Sequence, residues 1–245
     1  NNYIHDTHGE GMYLGWTSAG HHDMSNIKVY NNLLVNTGWD GIQFNRCIEG
    51  GEIYNNTIYG YAYTSYTANE ISQPYYWQNN GIGIGESEAK VYNNWVQAIN
   101  KWAGSALSIH TTRSLDIYNN VLVIGDFESD TPEDGIYITQ NSSAESGAYL
   151  KLYNNTLIEP ERCGIYINAS VTVPMYFTNN IIANPILNSH ILNTSSASLT
   201  TTTNLLTTSI SATGFVDASN DDYHLSSGSS AVDTGTDLTS EGIID

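Results

Sequence analysis

The sequence is poor in positive charge. Lysine and arginine together number 7, against 25 aspartate and glutamate residues, which gives a formal net charge of −18. Nucleic-acid binding is therefore not expected, because proteins neutralise phosphate backbones with lysine and arginine. The same balance disfavours a bare groove for polyanionic sugars, unless a cation such as Ca²⁺ lies between the carboxylates. No other cofactor is expected.

Cysteine and long apolar runs are scarce as well. Two cysteines, Cys47 and Cys163, are too few for a disulfide-stabilised scaffold. No apolar run approaches the ~20 residues that cross a bilayer, so no membrane span is expected. No segment resembles a signal peptide and the chain opens within a repeat, so we expect a fragment whose N-terminal cap and targeting segment lie upstream.

Two short motifs alternate along the chain. The first is an apolar residue, an aromatic residue and two asparagines, at 29–32, 53–56, 91–94, 117–120 and 152–155, with a looser copy at 176–180. The second is a small residue followed by apolar residues at alternate positions, at 11–14, 41–44, 81–84, 106–109, 135–138 and 164–167. Each motif has the period of two that is typical of a short strand. Asn and Gly supply the bends between strands, because both tolerate left-handed backbone.

The Asn–Asn pairs recur at intervals of 24 to 38 residues. A unit of that size cannot bury its apolar face alone and must stack on its neighbours. We therefore predict an all-β fold, a right-handed parallel β-helix of roughly seven turns, with constant rungs ~4.8 Å apart and variable loops. Residues 1–190 form the coils in this prediction. Residues 191–245 form a Ser/Thr-rich last coil and a C-terminal segment that caps the last rung.

Stacking places equivalent residues side by side, and this predicts specific neighbours. The position three before the first Asn of each pair alternates in charge, as lateral neighbours on an exposed face should: Lys28, Glu52, Lys90, Asp116, Lys151. An aromatic column should stack beside it, and the Asn pairs should form an amide ladder. Cys47 and Cys163 lie about four rungs apart, beyond the ~7 Å between Cα atoms that a disulfide allows. We therefore expect free thiols.

The repeats support a resemblance to a known group of proteins. The Tyr-Asn-Asn repeats, residues 37–43 and the closing pattern of residues 215–235 resemble secreted right-handed parallel β-helix repeat proteins of the pectin-lyase-like superfamily, common in polysaccharide-degrading bacteria. The resemblance covers nearly the whole chain. It implies a secreted or cell-surface location, a polysaccharide or oligosaccharide partner, and a monomer or one part of a larger multidomain chain. The superfamily includes lyases, hydrolases, epimerases and non-catalytic adhesins, so the resemblance selects no reaction.

Two acidic residues occupy the same repeat position on adjacent rungs. Glu10 and Asp40 each precede a small-apolar motif. Carboxylates ~5 Å apart suit a retaining glycosidase, and one skipped rung approaches the separation of an inverting enzyme. We take both as candidate catalytic residues in one exposed groove. The alternative is structural, because a polar residue before a bend often bonds to backbone N–H groups, and strict alternation would turn Glu10 inward.

Aromatic residues cluster near these carboxylates and are candidates for substrate binding. Sugar rings stack on aromatic faces, and long loops in compact folds are often functional. The candidates are Tyr13, Trp16, Trp39 and Gln43 on the first rungs, and Tyr75, Tyr76 and Trp77 in the longest insertion, residues 59–80. The N-terminal histidines fit no standard zinc spacing, so no metal site is predicted.

A second candidate site and three functions stay open. Lys101, His110 and Arg113 fall on one rung and could supply the basic residues of a uronate lyase. The chain could be a glycan-active hydrolase or lyase, a non-catalytic carbohydrate-binding or adhesive module, or a structural spacer in a larger surface protein.

Overall fold

The fold is built from short strands joined by bends. A computed structural model describes residues 1–17, 22–63, 78–100, 102–125, 134–186 and 189–243. Within these ranges nearly all regular structure is β-strand, and the helices are single turns. None of the described helices has the length and apolarity that a membrane crossing requires.

Each turn of the coil, called a rung here, contains three or four strands. Rung 1 contains β1 (Tyr3–Thr7), β2 (Met12–Leu14), β3 (Met24–Ser25) and β4 (Lys28–Tyr30); rung 2 contains β5 (Leu33–Thr37), β6 (Ile42–Asn45), β7 (Cys47–Glu49) and β8 (Gly51–Tyr54). Rung 3 contains β9 (Thr57–Tyr59), β10 (Ile82–Gly85) and β11 (Ala89–Tyr92); rung 4 contains β12 (Trp95–Gln97), β13 (Leu107–His110) and β14 (Leu115–Tyr118). Rung 5 contains β15 (Val121–Val123), β16 (Ile136–Thr139) and β17 (Leu150–Tyr153); rung 6 contains β18 (Thr156–Ile158), β19 (Ile165–Ile167) and β20 (Met175–Thr178). Rung 7 contains β21 (Ile181–Ala183), β22 (Ile191–Asn193) and β23 (Leu199–Thr202). The closing elements are β24 (Leu205–Thr207), α1 (Ile210–Thr213), β25 (Phe215–Asp217), a 3-10 turn (Ala218–Asn220), β26 (Asp222–Leu225) and a second 3-10 turn (Thr239–Glu241).

Equivalent strands of successive rungs pair into three parallel sheets. The first sheet has eight strands in the order β1-β5-β9-β12-β15-β18-β21-β24. The second sheet has seven, β2-β6-β10-β13-β16-β19-β22, and the third has seven, β4-β8-β11-β14-β17-β20-β23. This is a parallel β-solenoid of about seven turns, which confirms the predicted β-helix architecture.

The core is a set of apolar columns inside the coil. Along each strand, buried residues alternate with residues that point outward, as the period-two pattern predicted. One column of the second sheet is fully buried and pairs residue by residue from rung 2 to rung 6: Ile42, Ile82, Leu107, Ile136 and Ile165. Because alternate residues face outward, the outer surface can vary without disturbing the core.

The two asparagines of each pair have different tasks. The first adopts left-handed backbone, with φ between 52° and 58° in Asn31, Asn55, Asn93, Asn119, Asn154 and Asn179. The second is buried and joins a ladder: Asn56 Nδ2 donates to Asn94 Oδ1 at 3.0 Å and to the Val29 carbonyl at 2.9 Å. Asn94 repeats this with Asn120 and Ile53. The predicted amide ladder is therefore confirmed for the second asparagine, while the first makes the bend.

The outer face of the third sheet confirms the predicted register. Lys28 pairs with Glu52 in the sheet, and their Nζ and Oε1 atoms lie 2.6 Å apart. Beside this charged row, Tyr30, Tyr54, Tyr92 and Tyr118 stack with ring centroids 4.9 to 5.0 Å apart and nearly parallel planes. Each inner ring has its faces covered by its neighbours, so this column offers ring edges rather than faces to a sugar.

Both cysteines are free, as predicted. Cys47 and Cys163 are buried and make no disulfide. The Cys47 thiol donates to the Glu49 carbonyl at 3.4 Å, and burial raises the pKa of the Cys163 thiol. Both behave as small core residues.

The C-terminal segment lies along the side of the coil. Tyr223 packs against Phe215 and against Trp95, and Gln97 Nε2 donates to Asp221 at 3.3 Å. Trp95 and Gln97 belong to β12, four strands before β24 in the first sheet. The inward Leu206 of β24 remains 45% exposed. Apolar side chains on the outer face of the first sheet bind this segment, and Thr213 of α1 bonds to Thr207 of β24. The expectation that the segment caps the last rung stays a prediction.

Replacing Asn94 by alanine should destabilise the fold strongly. The change leaves the Asn56 backbone N–H and the Ile53 carbonyl without their side-chain partner. Buried polar groups that lose their partner cost ~1–3 kcal/mol each, so we expect a loss of about 3 kcal/mol in urea unfolding. Asn93→Gly is the matched control, because glycine accepts the left-handed backbone at that exposed position. Equal losses in the two variants would contradict the assigned roles.

Candidate functional site

The outer face of the second sheet has a depression at rung 3. Gly83 and Gly85 of β10 alternate with the buried Ile82 and Ile84, so the outward positions of this strand carry no side chain. The lateral neighbours do carry them. Gly83 pairs with Gln43 and Ser108, and Gly85 pairs with Asn45 and His110. Two rows of polar side chains therefore flank a bare strand.

This depression belongs to a cleft of about 410 Å³, which we call the second-sheet cleft. It spans rungs 1 to 5 and is lined by Trp16, Thr17, Gln43, Asn45, Arg46, Gln78, Gly85, Glu86, His110 and Asn141. A recess of about 50 Å³ shares Gln43, Asn45, Gly85 and His110 with it and adds Asp40, Asn80, Gly83, Ile84 and Ser108. Cleft and recess together form one polar cavity open to solvent.

Three buried amide atoms in this cleft have no hydrogen-bond partner in the part of the chain that the structure describes. They are Gln43 Oε1, Asn45 Nδ2 and Gln78 Oε1. Asn45 is only 7% exposed. A buried polar atom without a partner costs ~1–3 kcal/mol, so three in one cleft are expensive for the folded protein. The arrangement fits a ligand that donates hydrogen bonds to the side-chain oxygens of Gln43 and Gln78 and accepts one from Nδ2 of Asn45.

Asp40 lies at the floor of the recess and not on an exposed groove. Its side chain is 2% exposed, and Oδ1 accepts from the Asn80 backbone N–H at 2.7 Å and from Asn80 Nδ2 at 3.3 Å. Asp134, at the same repeat position, accepts from the Cys163 backbone N–H in the same way. The predicted open groove is therefore wrong for Asp40, because the side chain bridges to the next rung.

The protonation of Asp40 is unusual. Burial raises its pKa to about 7, the hydrogen bonds from Asn80 oppose this, and the charge of Glu10 adds to the rise. Asp40 is therefore partly protonated near neutral pH. Glu10 and Asp40 occupy equivalent positions on adjacent rungs, because the Gly11 backbone N–H donates to the Asp40 carbonyl at 2.9 Å, but Glu10 does not line the cleft or the recess. The catalytic role predicted for Glu10 and Asp40 stays a prediction.

His110 faces the same cavity in its neutral form. Burial lowers its pKa, and the nearby Glu86 carboxylate partly opposes this. Asn141 Nδ2 donates to Nδ1 of the ring, which leaves the ring proton on Nε2. Of the other residues of the alternative lyase site, Arg113 pairs with Glu145 and donates to the Ile48 carbonyl, and Lys101 lies outside the described residues. The lyase site stays a prediction.

An ion pair closes one side of the cleft. Arg46 lies 2.6 Å from Asp23 and 2.7 Å from Glu86 between charged atoms. Arg46 and Glu86 both adopt left-handed backbone, with φ of 62° and 45°. Residues other than glycine, asparagine and aspartate seldom adopt this conformation, which costs them roughly 1–2 kcal/mol. The charge of Arg46 is thus satisfied by two carboxylates within the protein.

The predicted binding residues are divided between the cleft and its surroundings. Trp16, 48% exposed, and Gln43 line the cleft. Tyr13 is exposed and bonds to Thr17 Oγ1 at 2.7 Å, beside the cleft. Trp39 is half-buried against Gly9 and is not among the lining residues. Tyr75, Tyr76 and Trp77 lie outside the described residues.

Several cleft residues were missed from the sequence. The residues in question belong to no motif: Asn45, Arg46, Gln78, Glu86 and Asn141. The available signal was Gly83 and Gly85, which interrupt the outward row of side chains at rung 3. No group of three or more His, Cys, Asp or Glu side chains in the described ranges is arranged to hold a metal ion.

A second depression, of about 430 Å³, lies on the third sheet. Glu52, Lys90, Asp116, Tyr92 and Tyr118 are among its lining residues. Glu52 already pairs with Lys28 and accepts from Tyr92 at 3.0 Å. None of the buried polar atoms that lack a partner among the described residues belongs to this depression. The second-sheet cleft is therefore the stronger candidate.

Asp40→Asn should change how stability depends on pH. The folded protein keeps the Asp40 proton up to about pH 7, whereas the unfolded chain loses it near the usual value of 3.8. Wild-type stability should therefore fall as the pH rises through this window, and an asparagine does not titrate. Between pH 5 and pH 8 the variant should gain on the order of 2 kcal/mol over the wild type in urea unfolding. Asp217→Asn is the control, since the pKa of Asp217 is lowered and both its states are ionised in this range. A pH-independent difference for Asp40→Asn would contradict the buried, protonated carboxyl.

Comparisons with protein-family models, with curated proteins and with solved structures give no match for this chain. The functional interpretation of the cleft therefore depends on its own residues.

Proposed function

We propose that this chain is a secreted or cell-surface β-helix protein of the pectin-lyase-like type, and that its second-sheet cleft binds a neutral polysaccharide. The observation that carries the proposal is that three buried amide atoms, which lack hydrogen-bond partners among the described residues, converge beside an exposed tryptophan. A sugar hydroxyl both donates and accepts, so a row of hydroxyls satisfies Gln43 Oε1, Asn45 Nδ2 and Gln78 Oε1 together. The indole of Trp16 supplies a face for the sugar ring.

The electrostatics favour a neutral sugar over a uronate. Arg46 is the only cationic side chain lining the cleft among the described residues, and Asp23 and Glu86 already neutralise it. A uronate carboxylate would meet Glu86 and a carboxyl at Asp40, within a chain of net charge −18. Binding a polyanion would therefore require a cation between these groups.

Hydrolysis of the bound glycan is the second candidate function. The observation in its favour is Asp40, a carboxyl group with a pKa of about 7 that lines the recess together with His110. A carboxyl group that stays protonated near neutral pH can act as a general acid towards a glycosidic oxygen. Asp40 also has a structural bond to the Asn80 N–H, which explains its burial without catalysis. Binding therefore remains the first proposal.

Asn45→Ala should weaken glycan binding without weakening the fold. The variant loses one hydrogen bond to the sugar, worth ~1–1.5 kcal/mol, so the Kd in calorimetric titration should rise about tenfold. The free energy of unfolding should stay equal or increase, because a buried amide nitrogen without a partner is removed. Asn31→Gly, on the exposed bend between β4 and β5, is the control for both measurements. Unchanged affinity would remove Asn45 from the site.

The hydrolytic candidate predicts products as well as binding. The wild-type protein, incubated with neutral hexasaccharides, should release shorter oligosaccharides that chromatography resolves, and Asp40→Asn should abolish this release while still binding. The titration of Asp40 predicts a rate that falls as the pH rises above about 7, because the acid form is lost. Binding by the wild type with no products at any pH would leave the protein a binding module.

A further inference from the structure

Gly83 is a glycine that the fold does not require. Its backbone lies outside the left-handed region, so any residue could adopt its conformation. A Cβ atom added there would meet only Asp40 Oδ2 within 4 Å, at 3.3 Å. Most residues form strands better than glycine, which loses more conformational freedom on folding. The backbone geometry does not explain glycine at this position, and the single tight contact of an added Cβ is with a side-chain oxygen of Asp40 rather than with the backbone.

Other glycines of the second sheet differ in this respect. A Cβ atom on Gly41 would lie 2.6 Å from the Gly81 carbonyl oxygen, and one on Gly81 would lie 2.2 Å from Val96 Cγ1. These glycines are needed for close packing. At the position of Gly83 the six other rungs carry ordinary outward side chains: Tyr13, Gln43, Ser108, Tyr137, Tyr166 and Leu192. The bare backbone is thus particular to rung 3.

The space above Gly83 is polar and partly desolvated. Asp40 Oδ2 borders it, and the Asn45 side chain, 93% buried, lies over the neighbouring Gly85 with Nδ2 lacking a partner among the described residues. Rungs 2 and 4 are ~9.6 Å apart, twice the strand spacing, so the gap between their side chains admits one flat ring and little beside it. Glycine inside a strand often marks a close approach by a ligand.

We propose that Gly83 determines specificity by letting one sugar ring of an unbranched neutral glycan lie directly on the β10 backbone, with Asp40 Oδ2 bonded to a hydroxyl at the edge of the ring. A branch or a bulky substituent on that ring meets Gln43 on one side and Ser108 and His110 on the other. This inference rests on the proposed glycan-binding function and adds the shape of the ligand and the residue that selects it.

The test compares Gly83→Ala and Gly83→Val with the wild type in calorimetric titration against cellohexaose, mannohexaose and xylohexaose, and against a galactose-branched mannan oligosaccharide. The wild type should bind at least one unbranched hexasaccharide and bind the branched one at least tenfold more weakly. Gly83→Ala should weaken the binding about tenfold and Gly83→Val should abolish it. Melting temperatures of both variants should stay close to that of the wild type, because the one tight contact of an added Cβ is with a side-chain oxygen and not with the backbone. Gly228→Ala, at an exposed position where an added Cβ would meet nothing within 4 Å, is the control that should leave binding unchanged.

The outcomes separate the two proposals. If the wild type binds an unbranched glycan and Gly83→Val binds it equally well, the role of Gly83 is overturned and the glycan-binding function stands. Equal affinity for the branched oligosaccharide would likewise overturn it. If both Gly83 variants fail to fold, the glycine is structural after all. If the wild type binds none of the glycans, both proposals fall together.

Discussion

The buried amide ladder is the interaction on which the rest of this structure depends. Each second asparagine is bonded to the rung on either side of it, so every rung is fixed in register with its neighbours. A slip of one residue would bury the outward row and expose the core. It would also leave a buried amide and a backbone carbonyl unpaired at each rung. Register is therefore set by a polar column inside an apolar coil, and every outward side chain receives a fixed lateral neighbour.

A fixed register turns the outer faces into surfaces that the sequence can vary one residue at a time. On the third sheet the outward side chains stabilise the fold. Lys28 pairs with Glu52, Glu52 accepts from the Tyr92 hydroxyl, and the tyrosine rings stack on one another. The second sheet differs. The missing side chain at Gly83 of β10 opens a depression, Asn45 lies over Gly85 beside it, and the amides around it keep atoms without partners among the described residues. The second sheet is thus less stable at this depression, and the polar atoms that lower its stability are the ones a ligand can bind.

The sequence was sufficient for the fold because the fold repeats. Alternating charges from Lys28 to Lys151 and the recurring Asn pairs gave independent checks of one register, and both hold. The residues of the cleft do not recur from rung to rung, so the repeat pattern predicted only some of them. Trp16 and Gln43 were identified because aromatic and polar residues cluster near them. Asn45 and Gln78 are candidates because their buried amide atoms lack hydrogen-bond partners among the described residues of the folded chain. No local sequence pattern predicts which buried atoms will lack a partner. The docking of the C-terminal segment on Trp95 could not be predicted for a similar reason, since it depends on an outer surface that four strands, β12, β15, β18 and β21, create together.

Asp40 shows why a structural and a functional interpretation of one residue need not exclude each other. Its bond to the Asn80 N–H joins rung 2 to rung 3 and accounts for its burial. The same bond occupies only Oδ1, and Oδ2 remains at the edge of the space above Gly83. Burial keeps the carboxyl partly protonated near neutral pH, so Oδ2 can donate as well as accept. Asp134 has the same repeat position and accepts from a backbone N–H in the same way, but its carboxylate is paired with Arg162. On the next rung, the position that corresponds to Gly83 carries Tyr166. The coil therefore supplies a rigid acidic group at more than one rung, and the neighbouring strand decides whether that group meets a ligand.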